Sequence, residues 1–157
     1  RNELFASLIL ADIGDTRLSA NILERQINSY EEKNEIILKN LHLIKKTAYD
    51  MKNLLIKGNL KEIGEMLQDG WILKKTLDKE ISNSKIDKIY DSAISAGAIG
   101  GKLLGAGGGG HLLFITDPDN RIHVENELQK SGCKIIKFNF DENGLQSWKI
   151  DDGRVIP

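Results

Sequence analysis

Eight of the chain's 15 glycines fall in one stretch, Gly97-Ala98-Ile99-Gly100-Gly101-Lys102-Leu103-Leu104-Gly105-Ala106-Gly107-Gly108-Gly109-Gly110. Glycine permits positive φ and lets a ligand or a second backbone approach closely. Successive bare amides can also form a concave nest for an anion, so phosphate binding is the first chemistry to test. A Walker-type loop needs Gly-x-x-x-x-Gly-Lys-Ser/Thr. Gly101-Lys102 supplies its middle, but Ala96 stands at the first position and Leu103 replaces the magnesium-binding hydroxyl. Gly105-Ala106-Gly107-Gly108-Gly109-Gly110 does satisfy Gly-x-Gly-x-x-Gly. A dinucleotide fingerprint follows a strand and opens a helix, with an acidic residue about 20 positions on. Here the order is reversed and Lys130 stands at that distance. A protein-kinase loop fails as well, because no His-Arg-Asp or Asp-Phe-Gly segment follows. What remains is a helix, a glycine-dense loop with one lysine, and a buried strand. A flexible linker fits poorly, since linkers are Ser-rich and polar and this stretch carries Ile99, Leu103 and Leu104. Packing against a neighbouring domain and direct contact with a ligand both stay open, and the two are compatible.

The surrounding elements are legible from period. Phe5-Ala6-Ser7-Leu8-Ile9-Leu10 reads as a buried strand running into the turn Asp12-Ile13-Gly14-Asp15. Ile37, Leu41, Ile44, Ala48, Met51 and Leu55 then share one face of a long helix, stopped by Gly58-Asn59. Leu60, Ile63, Leu67 and Trp71 mark a second helix. Ile86, Ile89, Tyr90 and Ala93 mark a third, which opens at Ser84-Lys85-Ile86-Asp87 with the spacing of a capping box. Leu112-Leu113-Phe114-Ile115-Thr116 reads as a buried strand. Asp117-Pro118 starts a helix that ends at Ser131-Gly132. A strand over residues 134–140 and a last one over residues 145–150 complete the chain. Strands do not alternate with single helices, so the expected class is α+β: helices on one face of a largely antiparallel sheet.

Composition bounds the function classes. At 40% hydrophobic and 29% charged residues the chain can bury a core. A formal charge of −1 gives no positive field for a sequence-independent grip on nucleic acid or an anionic membrane. Cys133 is the single cysteine, which excludes an internal disulfide and a Cys-based metal cage. The three histidines suggest no metal cluster. A reducing, cytoplasmic setting fits, and no apolar run approaches the ~20 residues of a membrane span. The chain starts at Arg1 rather than Met, which suggests a fragment or a processed product. With no repeat or linker in view, it reads as one domain over residues 3–153.

Gly100-Gly101-Lys102-Leu103-Leu104-Gly105-Ala106-Gly107-Gly108-Gly109-Gly110 resembles the third signature motif of the GHMP small-molecule kinases. Within that superfamily the chain is most similar to the C-terminal half of the D-glycero-D-manno-heptose phosphate kinases. Thr16-Arg17-Leu18-Ser19, Trp71-Ile72-Leu73-Lys74-Lys75 and Ile81-Ser82-Asn83, leading to Ile86-Asp87-Lys88-Ile89-Tyr90, carry this finer likeness. His111 departs from the usual Phe, and Ile13 from the usual Thr. The resemblance implies a ferredoxin-like C-terminal domain. It implies ATP and Mg2+ as cofactors, bound mainly by an N-terminal kinase domain whose motif Pro-x-x-x-Gly-Leu-Gly-Ser-Ser-Ala this chain lacks. The partners implied are that domain and a sugar phosphate substrate, with a homodimer left open, and the chain alone is expected to be inactive.

The resemblance also assigns roles. Gly100, Gly101, Lys102, Gly105, Ala106, Gly107, Gly108, Gly109 and Gly110 would form the phosphate and active-site loop, with Lys102 adding positive charge or standing solvated beside it. Arg17 would pair with a substrate phosphate or be a surface arginine at a helix start. Asp15 would accept sugar hydroxyls or serve as an N-terminal helix charge. Trp71 is expected in the core and Lys74 and Lys75 on a solvated face. No catalytic residue is expected in this chain. The competing readings are a non-catalytic ferredoxin-like module that binds a small ligand or dimerises, and the equivalent domain of fucokinase or mevalonate kinase. Nucleic-acid binding is disfavoured by the charge and by the lack of an aromatic-rich central strand.

Overall fold

The computed structural model describes residues 1–14, 20–147, 149–151 and 154–156. Strands β1 (Leu8–Asp12), β2 (Ala98–Leu103), β3 (His111–Thr116) and β4 (Lys134–Ile136) form one sheet in the order β2-β3-β1-β4. Every neighbouring pair in it is antiparallel, so the expected α+β, ferredoxin-like class holds. A separate two-stranded ribbon joins β5 (Lys149–Asp151) to β6 (Arg154–Ile156). Among the described residues, no helix is long and apolar enough to cross a membrane.

Alternation along the strands produces two apolar clusters. Ile9, Leu112 and Phe114 point to one face, where they meet Ile86, Ile89, Tyr90 and Ala93 of α5 (Ser84–Ser95) and Val124 and Leu128 of α6 (Arg121–Lys130). Leu8 and Ile115 point the other way and meet Ile63 and Leu67 of α4 (Leu60–Lys75), so the helices cover both faces of the sheet and not the single face the sequence suggested. Helix α3 (Glu35–Lys57) lies against α4 and adds Met51 and Leu54 to that second cluster.

Helix α4 reaches the sheet because both surfaces lack side chains at the crossing. A Cβ on Gly100 would stand 1.9 Å from the Gly64 carbonyl oxygen, and one on Gly64 would stand 2.7 Å from the Ile99 side chain. Ile99 is the extra residue of a bulge between Ala98 and Gly100, which turns it over the helix. Gly101 is shut in on the opposite face, where a Cβ would stand 2.5 Å from the Phe114 ring.

Several boundaries differ from expectation. Residues 5–7 belong to a short helix α1 (Asn2–Ser7), and the strand begins only at Leu8. An unexpected helix α2 (Ala20–Glu31) precedes α3. Helix α5 is capped by Asn83, whose side chain accepts from the amides of Lys85 and Ile86, rather than by Ser84. Asp117 does cap, but over a single 3-10 turn ahead of α6. The strand expected over residues 134–140 ends at Ile136. Phe138 and Phe140 lie beyond it and meet the Phe5 ring in tilted and edge-to-face contacts at centroid separations of 5.5 and 5.9 Å. Of the last expected strand, residues 145–147 are not extended into a ladder, Trp148 lies outside the described residues, and β5 begins at Lys149.

Candidate phosphate-binding loop

The glycine stretch is half strand and half loop. Gly100, Gly101 and Lys102 sit in β2, paired with Ile115, Phe114 and Leu113. That corrects the expectation that all nine positions form a phosphate loop. The true loop runs over residues 104–110 and is closed by the Leu104 amide donating to the His111 carbonyl at 2.8 Å.

Two contacts hold its shape. The Gly108 amide donates to the Ile81 carbonyl at 2.9 Å. Gly107 lies so close to the same residue that a Cβ would stand 2.7 Å from Ile81 Cα. Gly105, Gly107, Gly108 and Gly110 all have positive φ. At the far end the Ile13 amide donates to the Gly110 carbonyl at 3.0 Å, bringing the turn after β1 alongside the loop.

The end of β2 and the start of the loop share one cation. Lys74 Nζ, at the end of α4, donates to the carbonyls of Leu103 at 3.2 Å and Gly105 at 2.5 Å. Burial, followed by the nearby charge of Lys102, lowers the Lys74 pKa to about 8. Of the amides in residues 105–110, only that of Gly108 has an acceptor among the described residues. A run of unspent donors on a positive-φ backbone is the arrangement of an anion nest.

Lys74 therefore does not stand on a solvated face, as the sequence suggested. Its role was missed because its acceptors are backbone atoms 29 and 31 residues away. The signals in the sequence were its place in the last turn of a helix ahead of the glycine stretch and in the family-like segment Trp71-Ile72-Leu73-Lys74-Lys75. Lys75 is also engaged, with an ion pair to Asp87 at 3.2 Å and its ammonium 5.6 Å from the Trp71 ring centroid. Trp71 is core, as expected. Lys102 takes no ion-pair partner among the described residues and lines a cavity between α3 and α4 rather than the loop. Asp15 and Arg17 lie outside the described residues. Ile13 is buried and His111 is exposed opposite Asp12.

The GHMP kinase C-terminal domain family matches residues 51–134, a span from α3 through α4, α5, both strands of the loop hairpin and α6. The chain belongs to that family. This GHMP kinase C-terminal domain is 31% identical over 149 residues to the D-glycero-alpha-D-manno-heptose 7-phosphate kinase of Campylobacter jejuni, covering 95% of the chain and 43% of the relative. It is 27% identical to the L-fucokinase/L-fucose-1-P guanylyltransferase of Bacteroides fragilis, over 85% of the chain and 14% of the relative. Among solved structures, a sugar kinase of Campylobacter jejuni superposes with a TM-score of 0.61 at 29% identity, over 95% of this chain and 40% of that one. The domain thus spans less than half the length of these relatives.

The turn bearing Ile81 is itself braced in this domain. Arg25 of α2 donates to both Asp78 carboxylate oxygens, at 2.6 and 3.1 Å, and pairs with Glu80 at 2.8 Å. The guanidinium holds the Asp78 carboxyl below its ordinary pKa. The Ile81 amide in turn donates to the Asp78 carbonyl at 3.2 Å. A line of contacts therefore runs from α2 through residues 78–81 to the glycine loop.

Among the described residues no three His, Cys, Asp or Glu side chains converge as a metal site.

Proposed function

We propose that this domain is the C-terminal part of an ATP-dependent sugar kinase that phosphorylates a heptose phosphate. The observation that carries the phosphoryl part is the nest in residues 105–110, with its unspent amides and its carbonyls held back by Lys74. The 31% identity to a heptose 7-phosphate kinase supports the acceptor class. In this reading residues 3–153 are a single domain, and the nucleotide pocket belongs to an N-terminal domain outside this chain.

The reaction is a transfer between two oxygens. A sugar hydroxyl oxygen bonds to the γ-phosphorus, the bond from that phosphorus to the β–γ bridging oxygen breaks, and ADP leaves with the electron pair. The hydroxyl proton passes to a base outside this chain or to solvent. Such transfers depend on positioning and charge stabilisation more than on covalent chemistry. The loop amides would donate to the non-bridging oxygens of the moving phosphoryl group. Arg17 would pair with the phosphate already on the sugar, and Asp15 would accept from its hydroxyls.

The test is to express the uninterrupted reading frame containing this chain. Its product would be assayed for ATP-dependent phosphorylation of heptose 7-phosphate, heptose 1-phosphate, fucose, galactose and mevalonate, with this chain alone as control. Turnover on a heptose phosphate by the full product, and none by this chain alone, is expected. Turnover only on fucose or mevalonate would reassign the acceptor, and no turnover on any substrate would favour a non-catalytic module. In the full product, Gly108→Val should abolish turnover while the circular dichroism of the domain stays near wild type. Full activity would remove the loop from the mechanism.

A further inference from the structure

Behind the loop, α3, α4 and the end of β2 line an open cavity of about 360 Å³, within the range of small-molecule sites. Leu41, Ile44 and Met51 of α3 form one wall, and Met66 and Leu77 form part of the other. No acidic side chain lines it, and Lys74 and Lys102 are its charged groups. Neither lysine has a carboxylate partner among the described residues. Each ammonium carries three donors, and Lys74 spends two on the Leu103 and Gly105 carbonyls. Two cations beside an apolar cavity, with no counter-charge, are a costly arrangement. The lowered pKa of Lys74, with burial as its main cause and Lys102 as the second, agrees with that. An anion between them would offset both effects, while the unbranched methionines adapt to an apolar chain.

We propose that this cavity binds an amphipathic organic anion, with its apolar tail along α3 and its acidic head at Lys74 and Lys102. Because Lys74 also holds the loop carbonyls, the head would stand directly behind the glycine loop. The site does not depend on which sugar the kinase phosphorylates.

Titration calorimetry on the full product tests this with four probes: decanoate, decyl phosphate, decyltrimethylammonium and inorganic phosphate. At least one decyl anion should bind, while the cation and the tailless phosphate should not. Binding of decyl phosphate alone would assign a phosphate head, and binding of both anions a general acidic head. Gly70→Leu is a plug that the fold can accept. A Cβ there meets only the Thr47 methyl at 3.9 Å, and the position is helical. It should weaken anion binding at least about tenfold with an unchanged or higher urea midpoint. Lys102→Met keeps the stem and removes the charge, and should weaken binding by about tenfold. No binding of either anion, equal binding of the cation, or unchanged affinity in Gly70→Leu would overturn the proposal.

Discussion

Lys74 shows how one side chain can hold the backbone of a loop 31 residues away in sequence. By taking the Leu103 and Gly105 carbonyls on one side, it leaves the amides of residues 105–110 uncommitted apart from Gly108. Its proton is held less tightly in the folded domain, at about 8, than at the ordinary 10.5 of an unfolded chain. Between those values the unfolded chain binds more protons, so the Lys74 contribution to stability rises with pH. Lys74→Met abolishes that contribution. The wild-type advantage in urea midpoint should therefore widen from about pH 7 to about pH 10, and a constant or narrowing gap would contradict the assignment. Tyr90, pushed up to about 12 by burial, titrates in both proteins and cancels in the difference. Gly107 makes the complementary case for the other side of the loop. Its φ of 126° and its approach to Ile81 leave no room for a methyl group. Gly107→Ala should cost about 1–3 kcal/mol from backbone strain alone, seen as a lower urea midpoint, and should reduce turnover in the full product more than it reduces stability.

Between elements, the contact of α4 with β2 decides where the loop hairpin sits. Gly100→Ala would drive a methyl group into the Gly64 carbonyl, so α4 must lift off the sheet. The expected cost is about 3 kcal/mol, a large share of the roughly 5–15 kcal/mol that holds a domain folded, and chemical denaturation measures it. Helix α2 offers a gentler test through Arg25. Arg25→Gln should lower the urea midpoint near neutral pH, where the Asp78 carboxylate is charged. The deficit should disappear as acid carries the pH below the depressed Asp78 value, because a protonated carboxyl no longer pairs. Helices α3, α4 and α5 were legible in sequence because their apolar residues recur at helical spacing, although in α3 only Ile37 is buried and Leu55 of the expected face is exposed. Helix α2 was not: Ile22 is its one described residue in the core, while Leu23, Ile27 and Tyr30 are exposed, so its apolar residues trace no clean stripe. Strand β2 was hidden for a different reason. Gly100 and Gly101 are poor strand formers, and their place in the ladder is explained only by Gly64 and Phe114, which lie far off in sequence. The glycine loop itself was legible in sequence, but its anchor at Ile81 was not, since that anchor is a main-chain contact any residue type can supply.

At the scale of the molecule, the proposed function assigns the described residues one side of a phosphate site, the amides of residues 105–110 and the scaffold that holds them. This chain covers 43% or less of the two relatives compared by sequence. Nucleotide binding in this reading needs two domains, and linkage turns that into a thermodynamic difference. A ligand that binds only the folded state at 100 times its dissociation constant stabilises that state by about 2.7 kcal/mol. A non-hydrolysable ATP analogue at such a level should raise the melting temperature of the full product by several degrees. The same concentration should leave this chain alone unshifted, because a nest without the opposing nucleotide pocket offers too few contacts. Scanning calorimetry on both proteins reads the difference directly. An equal shift in this chain would mean that the loop and its immediate neighbours bind the nucleotide unaided, and that the division of the active site between two domains is wrong.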